Sequence, residues 1–182
     1  MVASFSIFLA STKLLDTKIF HKDVLIVRIT KYKTILTNEG KAVLEKEMSV
    51  NCPAVDKTMN APHKLEKLAT HFLKMHEQTE EHLYMVCLNT KLHMTSVFEI
   101  SHGNVNSSIF SVREILQKAL LANAVNIIMM HNHPSGDPTP SRQDVTMTEK
   151  LKEAGEIVGI GVLDHLIIGR GRYISLKDRG DI

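Results

Sequence analysis

The clearest pattern along the chain is an alternation of helical and strand-like segments that begins near residue 62. Residues 62–78 place apolar side chains at helical spacing behind a proline, which predicts an amphipathic helix. The apolar segments HLYMVCLNT and HMTSVFEIS follow. They are typical of two strands joined as a hairpin.

The second half of the chain continues this alternation. SVREILQKALLANA predicts a helix with a capping box, because its first serine is followed three positions later by a glutamate. VNIIMM predicts a buried strand, SRQDVTMTEKLKEAGEIVG a helix that ends near Gly159, and VLDHLIIG and YISL two further strands. Strands that alternate with helices predict an α/β domain over residues 61–182, with a central sheet flanked by helices.

Residues 1–60 are weakly patterned, and we expect an N-terminal extension there. Within it, DVLIVRIT at residues 23–30 predicts a short strand. No basic residue precedes the short apolar stretch at the start, which favours an extension, or a start codon placed too far upstream, over a signal peptide. No apolar run reaches membrane-spanning length, so no membrane partner is expected.

Composition narrows the choice of function only slightly. The chain is 43% hydrophobic and 23% charged, which is ordinary for a globular protein. Its net charge of +2 is too small to indicate nucleic-acid binding by itself. Cys52 and Cys87 have no metal-site spacing and are too few for a disulfide framework. We therefore expect a reducing compartment, the cytoplasm.

The segment HNHPSGDPTPSRQD carries the strongest chemical signal. His131 and His133 follow a predicted strand, and residues i and i+2 of extended backbone point to the same side, so two imidazoles can bind one ion. Asp144 lies in the first turn of the next helix, behind the N-cap Ser141, and supplies a third ligand. Three protein ligands with one position left for water are the pattern of a catalytic zinc site.

The alternative is a surface turn followed by a capped helix, because Ser141 and Asp144 also have capping-box spacing. The two interpretations of Asp144 are compatible, since a carboxylate has several lone pairs. Prolines at 134, 138 and 140 favour the metal site, because they reduce the entropy lost when the loop brings the carboxylate to the histidines.

A hydrolytic metal site also needs a general base. The sequence offers five candidates: Glu77, Glu80, Glu81, Glu99 and Glu114. Other catalytic patterns are not met. HEQTE lacks the second histidine of HExxH, and the chain contains no CxxC pair, P-loop or GxSxG.

The order His131-x-His133, seven residues, Ser141-x-x-Asp144 is similar to the JAMM motif of the MPN/JAB-domain metalloproteases. EEHLYMVCLNTK, VREIL, HNHPSGDPTPSRQD and LDHLIIG resemble, in the same order, the RadC-like branch of that superfamily. The resemblance covers residues 62–182. It implies an MPN/JAB fold, related in layout to the cytidine deaminases.

The resemblance also implies roles for individual residues. The two histidines and the aspartate of the motif would bind one zinc ion per chain. Glu81 would be the general base for a zinc-bound water, and Ser141 would help to stabilise the oxyanion. Asp164 and His165 would lie behind the ligands or at a strand end, although His165 is equally explained as an ordinary core histidine.

Two departures from the family pattern matter. RadC-like proteins of full length carry a helix-hairpin-helix DNA-binding region before this domain, and residues 1–60 show no such pattern. The helix that usually opens with Pro-Arg-Glu opens here with Val112-Arg113-Glu114, which affects only how that helix starts.

Three functions remain in competition. The leading hypothesis is zinc-dependent hydrolysis of a peptide or isopeptide bond in an unknown protein substrate. The second is an accessory role in DNA repair, which predicts a basic face and is weakly supported by the charge balance. The third is a non-catalytic MPN scaffold. Such scaffolds typically lack metal ligands, whereas this chain keeps the whole set.

Overall fold

A mixed seven-stranded sheet forms the centre of the computed structural model, which describes residues 27–52, 57–103 and 111–182. In chain order the strands are β1 (Val27–Leu36), β2 (Ala42–Cys52), β3 (Glu81–Leu88), β4 (Met94–Gly103), β5 (Asn126–Asn132), β6 (Gly161–Ile168) and β7 (Tyr173–Ser175). Their spatial order is β2-β1-β4-β3-β5-β6-β7. The pairs β1–β4 and β5–β6 are parallel, and the other neighbours are antiparallel.

Helices cover both faces of this sheet, which confirms the predicted α/β architecture. They are α1 (Pro62–Lys67), α2 (Val112–Leu121), α3 (Arg142–Val158) and α4 (Leu176–Arg179). No helix in the described ranges combines the length and the apolar character needed to cross a bilayer.

The helix predicted over residues 62–78 is wrong beyond its first turns. After α1 the chain forms a π-helical turn over Leu68–Phe72 and a 3-10 turn over Met75–Glu77. Lys74 between them has a φ of 53°, in the left-handed region that interrupts a helix. The apolar residues of this segment are buried as the pattern predicts, but most of them lie in successive short turns that pack on the sheet.

The two faces of the sheet bury separate hydrophobic clusters. Along β3, Leu83 and Met85 point towards α2 and α3, whereas Tyr84 and Val86 point towards α1. All four side chains are buried. Because strand side chains alternate between faces, the position of a residue in β3 decides which layer it meets. The same alternation places Glu81 and its neighbour His82 on opposite faces of the sheet.

The first part of the chain contributes more to the sheet than the sequence pattern indicates. β1 overlaps the strand predicted at residues 23–30, of which 23–26 lie outside the described residues. β2 was not predicted, because it is an edge strand whose side chains are mostly exposed and lack an apolar alternation. The domain boundary near residue 60 stays a prediction. Residues 104–110, which precede α2, also lie outside the described residues.

The start of α2 differs from the predicted capping box. Ser111 Oγ accepts a hydrogen bond from the Glu114 amide at 3.3 Å, as expected of an N-cap. The Glu114 carboxylate pairs with Lys118 one turn later instead of returning to the cap. The carboxylate that the capping-box pattern assigned to the Ser111 backbone therefore pairs with a buried lysine instead.

Asp164 joins β6 to the last elements of the chain. The predicted strand YISL is only three residues long, because Ser175 also caps α4 by accepting from the Asp178 amide at 3.0 Å. The buried Asp164 carboxylate accepts from the Ser175 hydroxyl at 2.7 Å, from the Lys177 amide at 3.2 Å and from the His165 amide at 2.7 Å. It therefore holds the junction of β6, β7 and α4.

Asp164→Asn should lower the free energy of unfolding by about 1–3 kcal/mol, because the amide has one acceptor oxygen where the carboxylate uses both. Urea denaturation followed by circular dichroism measures this change. Asp137→Asn is the matched control, since Asp137 forms an exposed ion pair with Arg172 that contributes little. An equal loss of stability in the two variants would contradict the assignment.

Candidate metal centre

The two histidines of HNHP lie on the same side of the sheet, at the carboxyl end of β5. Ile127 and Met129 point towards α2 and α3, so alternation places His131 on that face too. The His133 amide donates to the Ile168 carbonyl at 2.9 Å, which prolongs the pairing with β6. As a result the two Nε2 atoms are 2.9 Å apart.

Asp144 approaches the histidines from the first turn of α3. Its Oδ1 lies 3.5 Å from Nε2 of His131, and its Oδ2 lies 3.7 Å from Nε2 of His133. The predicted capping box is formed as well, with the Ser141 amide donating to Oδ2 at 2.7 Å and Ser141 Oγ accepting from the Asp144 amide at 3.1 Å. One carboxylate thus starts the helix and faces both imidazoles.

The spacing of these three ligand atoms suits a small cation. Among the described residues, the imidazoles of His131 and His133 and the carboxylate of Asp144 form a group whose ligand atoms all lie within 4.8 Å of one another. Zn–N distances of 2.0–2.1 Å and tetrahedral angles require ligand nitrogens about 3.3 Å apart. Small side-chain shifts therefore bring the group to zinc geometry.

Hydrogen bonding decides which nitrogen of His133 carries the proton. Its Nδ1 lies 2.7 Å from the Asp137 carbonyl oxygen, which only accepts, so Nδ1 donates. When the ring is neutral, Nε2 then presents its lone pair to Nε2 of His131 and to the Asp144 carboxylate. Electron pairs that face one another in this way are stabilised by a cation between them. The donor set of two imidazoles and one carboxylate fits zinc.

The electrostatics of His131 and Asp144 favour their metal-binding forms. Burial lowers the pKa of His131 to about 4, so this ring is neutral at pH 7. Burial alone would raise the pKa of Asp144, but the ionic interaction with His133 and the neighbouring His131 hold that pKa well below its usual range. The carboxylate of Asp144, a candidate ligand, is therefore ionised throughout the physiological range of pH.

A cavity of about 490 Å³ opens in front of the three residues. The start of β3, the end of β4 and the first turns of α3 line it. Glu81 is the first residue of β3 and lies two positions before Leu83. It therefore points to the face of the sheet that α3, with Asp144, covers. Burial raises the pKa of Glu81, the charge of Asp144 adds to this and His133 opposes it. A carboxyl of this kind suits proton transfer.

The other four glutamates that the sequence offers as bases have different surroundings. Glu80 lines the cavity, but its side chain is exposed. Glu77 faces solvent, and Glu114 pairs within α2. Glu99 lies on the α1 face, where its Oε2 is 2.6 Å from Nζ of Lys31. Glu81 is therefore the half-buried candidate inside the cavity.

A second histidine–carboxylate group lies near the same end of the sheet, on the α1 face. It consists of His82, Glu99 and His102. Glu99 is already neutralised by Lys31 and also accepts from Nδ1 of His82 at 2.8 Å. Hydrogen bonding and the ion pair account for this group without a metal.

The two residues of the DHLIIG segment have different surroundings. They are consecutive in β6 and therefore point to opposite faces. His165 is fully buried, and its Nε2 lies 2.8 Å from Nδ1 of His131. Asp164 points instead into the junction with α4. The structure thus brings His165, but not Asp164, into contact with the candidate ligands.

Two residues of the site were missed from sequence. Asn132 is 1% exposed, donates from Nδ2 to the Glu80 carbonyl at 2.9 Å, and accepts at Oδ1 from the His82 amide at 2.8 Å. It thereby fixes the backbone on both sides of Glu81. Thr148 is fully buried in α3, one turn after Asp144. The sequence did contain a signal for Thr148, because its hydroxyl lies among the apolar positions of this helix.

Comparisons with known proteins agree with this description. Residues 59–181 match the family described as the RadC-like JAB domain. The chain is 50% identical over 107 residues to a UPF0758 protein of Methanosarcina barkeri, which covers 59% of this chain and 47% of that protein. It is 42% identical over 157 residues to a UPF0758 protein of Desulfitobacterium hafniense, with coverages of 84% and 68%.

A UPF0758 protein of Caldanaerobacter subterraneus is 51% identical over 107 residues, or 59% of this chain and 46% of that protein. The chain thus spans about half the length of the Methanosarcina and Caldanaerobacter relatives. The family match covers more than half of the chain, and it confirms the predicted MPN/JAB fold. The chain belongs to the RadC-like JAB domain family.

Proposed function

We propose that this protein is a zinc-dependent hydrolase of the JAMM type that cleaves a peptide or isopeptide bond. The observation that carries the proposal is the convergence of His131, His133 and Asp144 on one point in the wall of a cavity that also contains Glu81. The proposed metal ligands, the proposed base and the cavity for a substrate then form one site.

In this proposal the chain holds the metal and moves the proton. His131, His133 and Asp144 would bind zinc, which when bound acts as a Lewis acid and makes water a nucleophile at neutral pH. Glu81 would take a proton from the attacking water and deliver it to the leaving amine. Its raised pKa suits both halves of that transfer.

Ser141 is placed to contact the carbonyl group of a substrate. Its Oγ accepts from the Asp144 amide, so the hydroxyl hydrogen can be donated into the cavity that Ser141 lines. Donation to the carbonyl oxygen would stabilise the negative charge that develops there. Ser141 would thus act on the substrate while it caps α3.

The cavity favours an amide substrate over a nucleic-acid phosphodiester. The described residues that line it include Glu80 and Glu81 but no lysine or arginine. A phosphate backbone would therefore meet the carboxylates of Glu80 and Glu81 without a basic side chain to pair with its charge. This supports hydrolysis over the DNA-repair role, and the complete ligand set supports it over the scaffold role.

The first test is metal content. Protein purified without a histidine tag or chelator should hold about one zinc per chain by elemental analysis. His131→Ala and Asp144→Ala should each lose the metal, because two ligands do not retain zinc against buffer. His63→Ala, which removes an exposed histidine outside the cluster, should keep it. Absence of zinc from well-folded wild-type protein, even after zinc is added back, would refute the proposal.

The second test separates metal binding from turnover. Glu81→Gln should keep zinc and lower hydrolysis of a peptide or isopeptide library by about 100-fold or more, because an amide cannot accept the proton of water. Glu80→Gln, its immediate neighbour, should retain most of the activity. The reverse order of the two variants would place the base one residue earlier.

The third test is the pH dependence of zinc affinity. The neighbouring Asp144 carboxylate raises the pKa of His133, although burial opposes it. Zinc must displace a proton from His133 below that pKa, which lies above the ordinary value of about 6.5. Affinity should therefore be level at higher pH and fall about tenfold per pH unit below it. Chelator competition measures this, and an affinity that rises on acidification would contradict the assignment.

A further inference from the structure

We propose that Thr148 and His165 are positioning residues that select the tautomer of His131, so that its Nε2 faces the cavity without a proton. The inference rests on the proposed metal site and assigns two further residues to it. It follows from a line of hydrogen bonds that runs from α3 through β6 to β5.

Three contacts form this line. The Thr148 hydroxyl lies 2.6 Å from the Asp144 carbonyl oxygen. The same hydroxyl oxygen lies 2.6 Å from Nδ1 of His165. Nε2 of His165 lies 2.8 Å from Nδ1 of His131. Thr148 and His165 are fully buried and His131 is 6% exposed, so water does not compete for these contacts.

The direction of every bond follows from the carbonyl at one end. A carbonyl oxygen only accepts, so both short contacts of Thr148 are hydrogen bonds at once only when its single hydroxyl hydrogen is donated to Asp144. The Thr148 oxygen can then only accept from His165, which places a hydrogen on Nδ1 of His165. Nε2 of His165 is left as an acceptor, and His131 must donate to it from Nδ1. Each buried ring carries one hydrogen, so Nε2 of His131 keeps its lone pair.

The opposite tautomer is a real competitor in the metal-free protein. A hydrogen on Nε2 of His131 would point at Nε2 of His133, which is only 2.9 Å away, and the two rings would form a hydrogen bond. That arrangement blocks the electron pair that a metal needs. The carbonyl anchor opposes it, because in the reversed line Nδ1 of His165 has no hydrogen to donate. The Thr148 hydroxyl must then turn from the Asp144 carbonyl to His165, or the lone pairs of Thr148 and His165 face one another without a hydrogen.

α3 therefore acts on the site twice. It supplies the Asp144 carboxylate directly, and through Thr148 one turn later it sets the protonation of a ligand on β5. Outer hydrogen bonds of this kind typically change metal affinity by about 10–100-fold when they are removed.

Thr148→Val tests the inference, because it keeps the shape of the side chain and removes the hydroxyl. Zinc affinity from chelator competition should fall about 10–100-fold, whereas Thr148→Ser, which restores a hydroxyl, should stay close to wild type. Nitrogen-15 NMR of the histidine rings in chelator-treated protein should show Nδ1–H on His131 in wild type and in Thr148→Ser. Thr148→Val should show the Nε2–H form in addition.

An unchanged tautomer and an unchanged affinity in Thr148→Val would overturn the inference. A lower affinity with an unchanged tautomer would also overturn it, because the hydroxyl would then act through packing. If Thr148→Val does not fold, His165→Gln compared with His165→Leu replaces it, since glutamine both accepts and donates and leucine does neither. Wild-type protein that binds no zinc would refute the proposed function, while the NMR comparison would still decide the tautomer.

Discussion

The reciprocal hydrogen bonds between Ser141 and Asp144 decide where α3 begins. The start of α3 in turn sets the positions of the side chains that the helix contributes to the site. These hydrogen bonds place the Asp144 carboxylate opposite both histidines and Thr148 one turn behind it. A cap of this kind contributes only about 1 kcal/mol. The position of α3 is therefore secured further along, where Gly155 allows a close approach to the Ile160 carbonyl. A Cβ at residue 155 would lie 2.5 Å from that oxygen.

Local patterns in the sequence were enough to predict most of the fold and the group of candidate ligands. His131, His133 and Asp144 could be found because a strand, a stiff loop and a helix cap fix their relative positions over 14 residues. Glu81 was reached only through the family resemblance, since five glutamates met the requirement for a base. The structure distinguishes it by the face of β3 on which it lies.

What could not be predicted depends on partners far away in the chain. Asn132 contacts backbone atoms 50 and 52 positions earlier, and no spacing rule reports such a contact. Lys74 adopts a left-handed conformation that its residue type does not favour, so the break after α1 has no local signal. β2 has a polar, exposed sequence because it needs only one neighbour in the sheet.

The Asn132 side chain has a consequence for the entropy of the site. The first residue of a strand ordinarily frays, because it has few neighbours to hold it. Here Asn132 bonds the backbone on both sides of Glu81 to the buried end of β5. The freedom of that backbone is thus lost when the protein folds, not when a substrate enters. Binding then has to order the ligand but not the segment of chain that carries Glu81, the proposed base.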